Sequence, residues 1–509
     1  MAEKQTNTTY ALSHAEVRSV IIGVMLAILL GALDQTIVSV SLPKMSTDLM
    51  GVDLLAWVVS GYLIAATVAT PIYGKLGDLY GRRLMLSLAI GTFLVASILC
   101  ALAPSMPFMV AARILQGLGG GGLISVAQAI VGDVVSPRER GRYQGYISGA
   151  FALASVFGPV LGGLLTEYLS WRWIFWINLP LCLVAFIISH RALARLPKPV
   201  AAKRQIDYLG ALLLTIGLTS LLIGITRVGD GTSWIDPANL QLFAVAVVST
   251  IAFVWQEQRT AEPIIPLTLF RSSTVTLCCA LMFIAFIQII SLSVLIPLRL
   301  QMLTDFGADG AALQLLPMSV AVPLGSFIAG KLTTRTGRYK QTQLAGAIIV
   351  PVMVLILGFS SPESVTLNVF CMIAAGLAIG LQLPTSLVAI QNAVEYRHMG
   401  VATSLGAFSR SLGAAVGIAL LMALLLASLQ SHAPESLTSI SGGEIIKLMV
   451  NNTLPRFEAG APSEVALSVM SAFRHVFIIS AVIAAFAVVL SFLMADETLT
   501  DHTPQLKKI

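Results

Sequence analysis

One carboxylate and one guanidinium stand out because each lies deep within a long apolar run. Asp34 lies in the run 19–42 and Arg113 in the run 107–131. An ionised side chain inside a membrane is costly unless it is paired or hydrated. Burial disfavours an ionised carboxyl group and a neighbouring cation favours it, so such a carboxylate can bind and release protons. The two residues therefore predict a proton-coupling site, and a permanent structural ion pair is the alternative.

The two residues also have matching depths. If the run of Asp34 crosses the membrane in one direction and that of Arg113 in the other, Asp34 lies about eight residues and Arg113 about six residues from the same membrane face. At 1.5 Å per helical residue, their depths agree within roughly one turn. We therefore expect the two side chains to pair.

Further polar and aromatic residues within the apolar runs are candidates for contact with a substrate. Arg410 lies in a run whose half of the chain offers it no acidic partner inside a span. For the aromatic residues and for the two amides of the second half, packing or anchoring at the membrane surface is the competing interpretation. The candidates for the substrate cavity are Trp57, Tyr62, Gln116, Gln288, Gln382 and Arg410.

A glycine- and charge-rich loop follows the second apolar run and occurs twice. The first copy spans residues 74–83 and the second spans 330–339, and both fit G-K-L-x4-G-R. Thr334 replaces the acidic residue in the second copy, so we expect only the first to carry a full charge network. We predict that Asp78 accepts hydrogen bonds at the start of the next helix or from Arg82. The functional residues predicted in the first copy are Gly74, Asp78, Gly81, Arg82 and Arg83.

A second group of small residues lies in the fifth apolar run. Its residues are Gly158, Pro159, Gly162 and Gly163. Glycines let a neighbouring helix approach closely. Proline removes one backbone hydrogen bond and bends the helix. We predict a tight but separable helix contact here.

The composition shows what must hold these residues in place. Of the 509 residues, 56% are apolar and 11% are charged, which is too few charges for a soluble surface. A membrane-spanning helix needs about 20 apolar residues. Fourteen runs meet this length, at 19–42, 54–74, 83–103, 107–131, 142–166, 172–190, 207–227, 238–256, 273–297, 310–330, 341–360, 365–390, 400–428 and 472–494.

Orientation follows from the positive charges between the spans. Loops after even-numbered spans contain 18 Lys and Arg residues, and the short loops after odd-numbered spans contain four. Lys and Arg accumulate on the cytoplasmic side. We therefore predict that both termini and the even-numbered loops are cytoplasmic. The net charge of +6 is explained in this way and indicates no nucleic-acid partner.

The spacing of the repeated loop predicts the domain organisation. Eight spans separate its two copies, whereas a six-helix repeat requires six, so two spans are inserted between two related halves. The long loop 429–471 before the last span is predicted to lie outside, and it contains an amphipathic stretch near Ile445–Val450. This loop is either solvated or a substrate-facing lid. The predicted segments are a tail (1–18), the first half (19–190), a linker (191–206), the inserted pair (207–256), the second half (257–494, with external loop 429–471) and a second tail (495–509).

Five motifs in the expected order resemble the major facilitator superfamily, and more narrowly its fourteen-helix drug:proton antiporters. They are Leu33–Pro43, the loop at 74–83, Arg113 with Gln116 and Gly117, the glycine group at 158–163, and Trp171–Pro180. Ser39 and Ser41 depart from the family pattern in the first motif. The resemblance implies an all-α membrane protein with two pseudo-symmetric halves. It also implies that the loop latches one conformation and that the glycine group favours antiport.

The function expected from this resemblance is proton-driven export of amphipathic or toxic small molecules by alternating access. A dedicated exporter of one metabolite, siderophore or self-made antibiotic is the alternative, and a membrane enzyme or a transporter-like sensor is a remote one. The five cysteines lie in apolar runs and predict neither disulfides nor a metal site. We expect no cofactor, a small-molecule substrate, protons and lipid as partners, a monomeric transport unit, and a location in the cell membrane, which is the inner membrane in a Gram-negative bacterium.

Overall fold

The structure of the chain is a computed structural model. Residues 1–13 and most of the predicted linker 191–206 and tail 495–509 lie outside the described residues, as do parts of the external loop 429–471. The described residues are 14–51, 54–195, 206–229, 231–304, 310, 313–395, 398–432, 434, 440, 442–450, 453–454, 457–458, 461–496 and 498–499.

Fourteen helices of the described chain are long and apolar enough to cross a membrane. We number only these helices. They are α1 (His14–Asp48), α2 (Leu55–Tyr80), α3 (Arg82–Ala101), α4 (Met106–Val134), α5 (Pro137–Tyr168), α6 (Trp173–Ala192), α7 (Tyr208–Gly229), α8 (Pro237–Glu257), α9 (Ser273–Leu303), α10 (Leu316–Thr336), α11 (Lys340–Phe359), α12 (Val365–Asn392), α13 (Met399–Ser431) and α14 (Glu464–Leu493).

Local sequence determines where several of these helices begin. Asp236 accepts hydrogen bonds from the backbone N–H groups of Ala238 and Asn239 at the start of α8. Ser272 and Ser463 cap α9 and α14 in the same way. Such caps satisfy N–H groups that have no partner within the helix. Between its ends, each helix satisfies its backbone groups by bonds to one another, as a bilayer requires.

The helices form two bundles with an additional pair. In the first half, α1 packs on α4, α5 and α6, and α4 also packs on α2 and α3. In the second half, α12 packs on α10 and α11, while α9 packs on α13 and α14. Helices α7 and α8 pack on each other, and α7 also contacts α2 and α13. The inserted pair thus lies along a seam between the halves.

The halves are joined at the end of the molecule that carries the α2–α3 connection, which we call the motif end. Arg138 at the start of α5 donates to the carbonyl oxygen of Thr334 near the end of α10, at 2.9 Å. Arg140 donates to the carbonyl oxygen of Gln391 in α12, at 3.2 Å. Gly141 and Gly330 bring the backbones of α5 and α10 into direct contact. The structure therefore holds the halves together at the motif end.

The connection between α13 and α14 contains a short helix, Gly442–Val450. Ile445 and Met449 are buried on its inner face against α9 and α13. The predicted amphipathic stretch is therefore confirmed, and this segment docks on the second half instead of being solvated. A two-residue antiparallel pair, Phe457–Glu458 with Ala461–Pro462, follows it.

Candidate functional site

Asp34 lies inside the first half with no part of its side chain exposed. One carboxylate oxygen, Oδ2, accepts a hydrogen bond from Nη1 of Arg113 at 2.6 Å. The other, Oδ1, accepts from Nε2 of Gln116 at 2.9 Å and from Nδ2 of Asn178 at 3.1 Å. The predicted pair is confirmed, and both carboxylate oxygens are satisfied by side chains from α4 and α6.

Arg113 is as enclosed as its partner, with 1% of its surface exposed. Its Nε donates to the backbone oxygen of Val58 in α2 at 3.2 Å, and its Nη1 also donates to Oε1 of Gln116 at 2.7 Å. The guanidinium carbon lies 4.4 Å from the centre of the Tyr62 ring, which adds a cation–π contact. A buried charge pair is maintained when hydrogen bonds satisfy its remaining groups in this way.

Asn178 is a member of this site that the sequence reasoning did not select. It is buried at the start of the second segment of α6, which the structure interrupts at Ile177. Its Nδ2 also donates to Oγ of Ser97 in α3 at 3.0 Å. An amide within an apolar span was the available signal. Asn178 lies in the motif Trp171–Pro180, and the resemblance gives it no role of its own.

The chemistry available to this arrangement is the binding of a proton. An ionised Asp34 attracts Arg113 and accepts from two amide groups, which draws α1, α4 and α6 together. A proton on Asp34 removes the negative charge and replaces one acceptor site by a donor. The electrostatic attraction between Asp34 and Arg113 would then be lost, and this is the basis of the function proposed below.

The glycine group of α5 packs against α1 close to this site. A side chain at Gly158 would overlap Thr36, and one at Gly162 would approach the backbone oxygen of Ile37 at 2.7 Å. Thr36 in turn donates to the backbone oxygen of Ala154 in α5 at 2.9 Å. Pro159 is exposed, and a side chain at Gly163 would meet no atom within 4 Å. Only half of the predicted group therefore forms the α1 contact.

The predicted loop at 74–83 is helical except at one residue, because α2 extends to Tyr80, Gly81 makes the connection and α3 begins at Arg82. This first loop motif joins the two halves through Asp78. Its Oδ1 accepts from Nη2 of Arg82 at 2.5 Å, as predicted, and from the backbone N–H of Gly400 at 3.0 Å. Its Oδ2 accepts from the backbone N–H of Val401 at 2.9 Å. Of the two predicted alternatives, the bond from Arg82 is therefore the one present, and the two bonds to the start of α13 were not predicted. A carboxylate is favourable at a helix N-terminus, where N–H groups are unpaired and the dipole is positive.

Arg82 extends this network within the first half. Its Nε donates to Oδ2 of Asp133 at the end of α4, at 2.7 Å, and both side chains are buried. Gly74 packs directly on Ser404 of α13. Gly81 adopts φ 94° between α2 and α3, a conformation that favours glycine. These residues place Asp78 and Arg82 against the second half.

Arg83 does not belong to this network. One of its terminal nitrogens lies 2.6 Å from Nε2 of His190 near the end of α6. The second copy of the motif also differs, because Arg338 lies 3.5 Å from Asp496 in an exposed pair within its own half. Thr334 donates to the backbone oxygen of Gly330. The expected asymmetry between the two copies is therefore present.

Three of the predicted substrate contacts are buried and make their side-chain contacts inside one half, which does not fit contact with a substrate in this conformation. Gln116 and Tyr62 belong to the Asp34 site. Gln288 joins α9 to α14, because its Nε2 donates to the Ser480 backbone oxygen at 3.1 Å and its Oε1 accepts from the Ser480 hydroxyl at 2.9 Å.

The other three predicted contacts have mixed environments. Gln382 is buried in α12, and its Nε2 donates weakly to the Ala378 backbone oxygen at 3.4 Å. Trp57 is partly exposed near the start of α2. Arg410 is partly exposed in α13, and its guanidinium carbon lies 5.2 Å from the centre of the Phe286 ring. Trp57 and Arg410 are therefore the two of the six candidates that remain partly exposed.

Comparisons with known proteins agree with this architecture. A family model described as Major Facilitator Superfamily matches residues 24–418. The chain is 34% identical, over 93% of its length and 69% of the relative's, to an uncharacterized MFS-type transporter of Mycobacterium tuberculosis. It is 32% identical, over 80% of its length and 74% of the relative's, to the multidrug transporter protein MdtP of Bacillus subtilis. The structure of the proton:xylose symporter XylE shares the fold, with a TM-score of 0.63, 14% identity, and coverage of 96% of this chain and 98% of that one.

Proposed function

This chain belongs to the major facilitator superfamily, and from that premise we propose that it is a proton-coupled antiporter that exports amphipathic or toxic small molecules. Membership makes it a multi-pass membrane transporter and not an enzyme. The observation that carries the proposal is the buried Asp34–Arg113 site. Relatives at about this similarity include a multidrug transporter, which supports the proposed substrate class.

The proposed cycle begins with the conformation in which the motif end is closed. If the motif end is cytoplasmic, as the distribution of positive charge predicts, we infer that this conformation is the one that faces the outside. A proton from outside binds Asp34 and weakens its hold on Arg113, Gln116 and Asn178. Helices α1 and α4 then shift, and the contact between Asp78 and α13 is released.

The second part of the cycle releases this proton into the cytoplasm. Substrate enters from the open motif end, Asp34 loses its proton to the inside, and the re-formed pair with Arg113 favours closure. One proton moving inward through 100 mV supplies about 2.3 kcal/mol. This energy is the driving force of the proposed cycle, which needs no cofactor. We also propose that a single chain is the transport unit and that the protein lies in the cell membrane.

The orientation is tested with two single cysteines. Thr336 lies at the motif end and Ser361 follows α11 at the opposite end, and both are exposed. The five native cysteines are buried. In intact cells, a membrane-impermeant maleimide should label Ser361→Cys and should label Thr336→Cys only after permeabilisation. The reverse pattern would invert the proposed cycle.

The function is tested by expression in a bacterial host whose own efflux pumps have been deleted. Susceptibility is measured against a panel of amphipathic antimicrobial compounds and dyes. We expect resistance to several of them, lost when a protonophore collapses the gradient. Resistance to a single compound would favour the dedicated exporter, and unchanged susceptibility to the whole panel would contradict the proposed substrate class.

A further inference from the structure

A second group of charges, all buried except the half-exposed Glu262, lies at the motif end, outside the Asp34 site. It surrounds a small pocket, with room for about one water molecule, between α2, the start of α7 and the connection that follows α8. Lys75 of α2, Asp207 and Glu262 line this cavity, together with apolar residues of α2. The inserted helix pair thus brings carboxylates against the first loop motif.

Among the described residues, hydrogen bonds reach only one of the two carboxylate oxygens of Asp207. It precedes α7, and its Oδ1 accepts from the backbone N–H of Gly210 at 2.8 Å and from Nε2 of Gln256 at 3.0 Å. The residue is 7% exposed, and its Oδ2 has no hydrogen-bond partner among the described residues. A buried carboxylate oxygen that accepts no hydrogen bond is energetically costly, so a hydrogen-bond donor at Oδ2 would stabilise the site.

Glu257 lies beside that unpaired oxygen. It is the last residue of α8 and is 4% exposed, and it accepts from the backbone N–H groups of Ile264 and Ile265 at 3.0 and 3.2 Å. A Cβ atom on Gly210 would lie 2.6 Å from Oδ2 of Asp207 and 3.2 Å from Oε1 of Glu257. The two oxygens are therefore within about 6 Å of each other, a range in which like charges oppose each other's ionisation.

The charges around this site do not balance among the described residues. Lys75 faces this site from α2, Asp207 from the residue before α7, and Glu262 from the connection after α8, while Glu257 ends α8 beside it. The Nζ of Lys75 lies 2.6 Å from Oε2 of Glu262, so its ammonium is already engaged. Glu257 also lies at a helix C-terminus, where the helix dipole disfavours negative charge. One further positive charge would relieve the repulsion between Asp207 and Glu257.

We propose that Asp207 and Glu257 form a second proton-binding site, carried by the inserted helices α7 and α8. The proton, taken from water, resides on Glu257. Its O–H group donates to the unpaired Oδ2 of Asp207, either directly or through one water molecule in the cavity. This proposal does not rest on the antiport proposed above, because it concerns different residues and needs no substrate.

The position of the site suggests what the proton does. When Glu257 is protonated, Lys75 remains with Glu262, and the connection after α8 stays attached to α2. When Glu257 loses the proton, a second anion competes with Glu262 for the ammonium group. Lys75 is three residues from Asp78 in the same motif. Proton release would therefore loosen the inserted pair from α2 beside the contact that closes the motif end.

Infrared spectroscopy of the purified, substrate-free protein in lipid nanodiscs tests this site directly. A protonated carboxyl group gives a C=O stretching band that disappears when the group ionises. Over a pH titration, we expect the wild type to lose such a band and Glu257→Gln to lack one carboxyl equivalent of it. Glu262→Gln is the matched control and should keep the band. Asp34→Asn should also keep it, so failure of the antiport proposal remains distinguishable.

A second variant keeps the test decisive if Glu257→Gln does not fold. Asp207→Asn replaces the carboxylate acceptor by a weaker amide acceptor, and the band of Glu257 should then shift in frequency. Identical carboxyl bands in the wild type and Glu257→Gln at every pH would overturn the proposal. An unshifted band in Asp207→Asn would overturn the assigned hydrogen bond.

Discussion

Asp34 and Gln288 occupy corresponding positions in the two halves, but only one of them can carry charge. Asp34 lies nine residues before Pro43 in α1, and Gln288 lies nine residues before Pro297 in α9. Asp34 accepts from Asn178 of α6, and Gln288 bonds Ser480 of α14, the corresponding helix. The same helix contact therefore contains an ion pair in the first half and only neutral groups in the second. Under the proposed function, the first half carries the proton and the second is its neutral counterpart.

The largest expected effect follows from removing the cation. Arg113→Leu leaves Asp34 buried without its partner, and breaking a buried pair in this way costs about 3–5 kcal/mol. Gln288→Leu is the matched change in the second half and leaves only neutral groups unpaired, at about 1–3 kcal/mol. Thermal unfolding in detergent measures both.

The comparison is sharpened by a double variant. Adding Asp34→Asn to Arg113→Leu removes the uncompensated charge and should recover part of the lost stability. Equal losses from Arg113→Leu and Gln288→Leu would mean that the ionic character of the first site has no energetic consequence.

The next effect concerns the two copies of the loop motif. Asp78→Asn removes the charge that binds Arg82 and the N–H groups of α13, and charge-assisted hydrogen bonds contribute about 1.5–3 kcal/mol each. The motif end should open more often, and transport should fall strongly. Thr334→Val in the second copy should change little, because Thr334 bonds only its own helix through its side chain.

Opening of the motif end is measured by labelling a cysteine placed at Ser404. Ser404 of α13 is fully buried against Gly74 of α2 and becomes accessible only when the halves separate there. Faster labelling is expected in Asp78→Asn than in Thr334→Val at matched expression. Equal labelling rates in the two variants would contradict the predicted functional difference between the two copies.

The smallest effect separates two neighbouring glycines of α5. Gly158→Ala forces a methyl group against Thr36 of α1, beside Asp34, and such overpacking costs about 1–3 kcal/mol. Gly163→Ala meets open space and should be nearly neutral for stability. Melting temperatures and resistance levels check both variants. A larger loss from Gly163→Ala would show that α5 works through its exposed face and not through α1.

Much of this architecture could be predicted from the sequence, because the bilayer imposes a simple length rule. The fourteen apolar runs correspond to α1–α14, but α14 begins at Glu464, eight residues before the predicted start. Its first turns contain polar residues that a hydrophobicity pattern excludes. The Asp34–Arg113 pair was predictable because charges inside a span have few partners available.

Other contacts had no signature in the sequence. Asp78 bonds backbone N–H groups of α13, and every residue but proline has such a group. The bond from Lys75 to Glu262 joins residues that are 187 positions apart. Asn178 was visible as an amide in an apolar run, but only the interruption of α6 brings it to Asp34. The three-dimensional fold was needed for all three.

The central claim is that Asp34 carries the proton that drives transport. The most direct measurement uses proteoliposomes with an imposed pH gradient and the compound to which the susceptibility panel shows the strongest resistance. Wild-type protein should accumulate that compound against its gradient. Asp34→Asn keeps the shape of the side chain but cannot titrate, so it should bind the compound without accumulating it. Accumulation by Asp34→Asn at the wild-type rate would contradict the account.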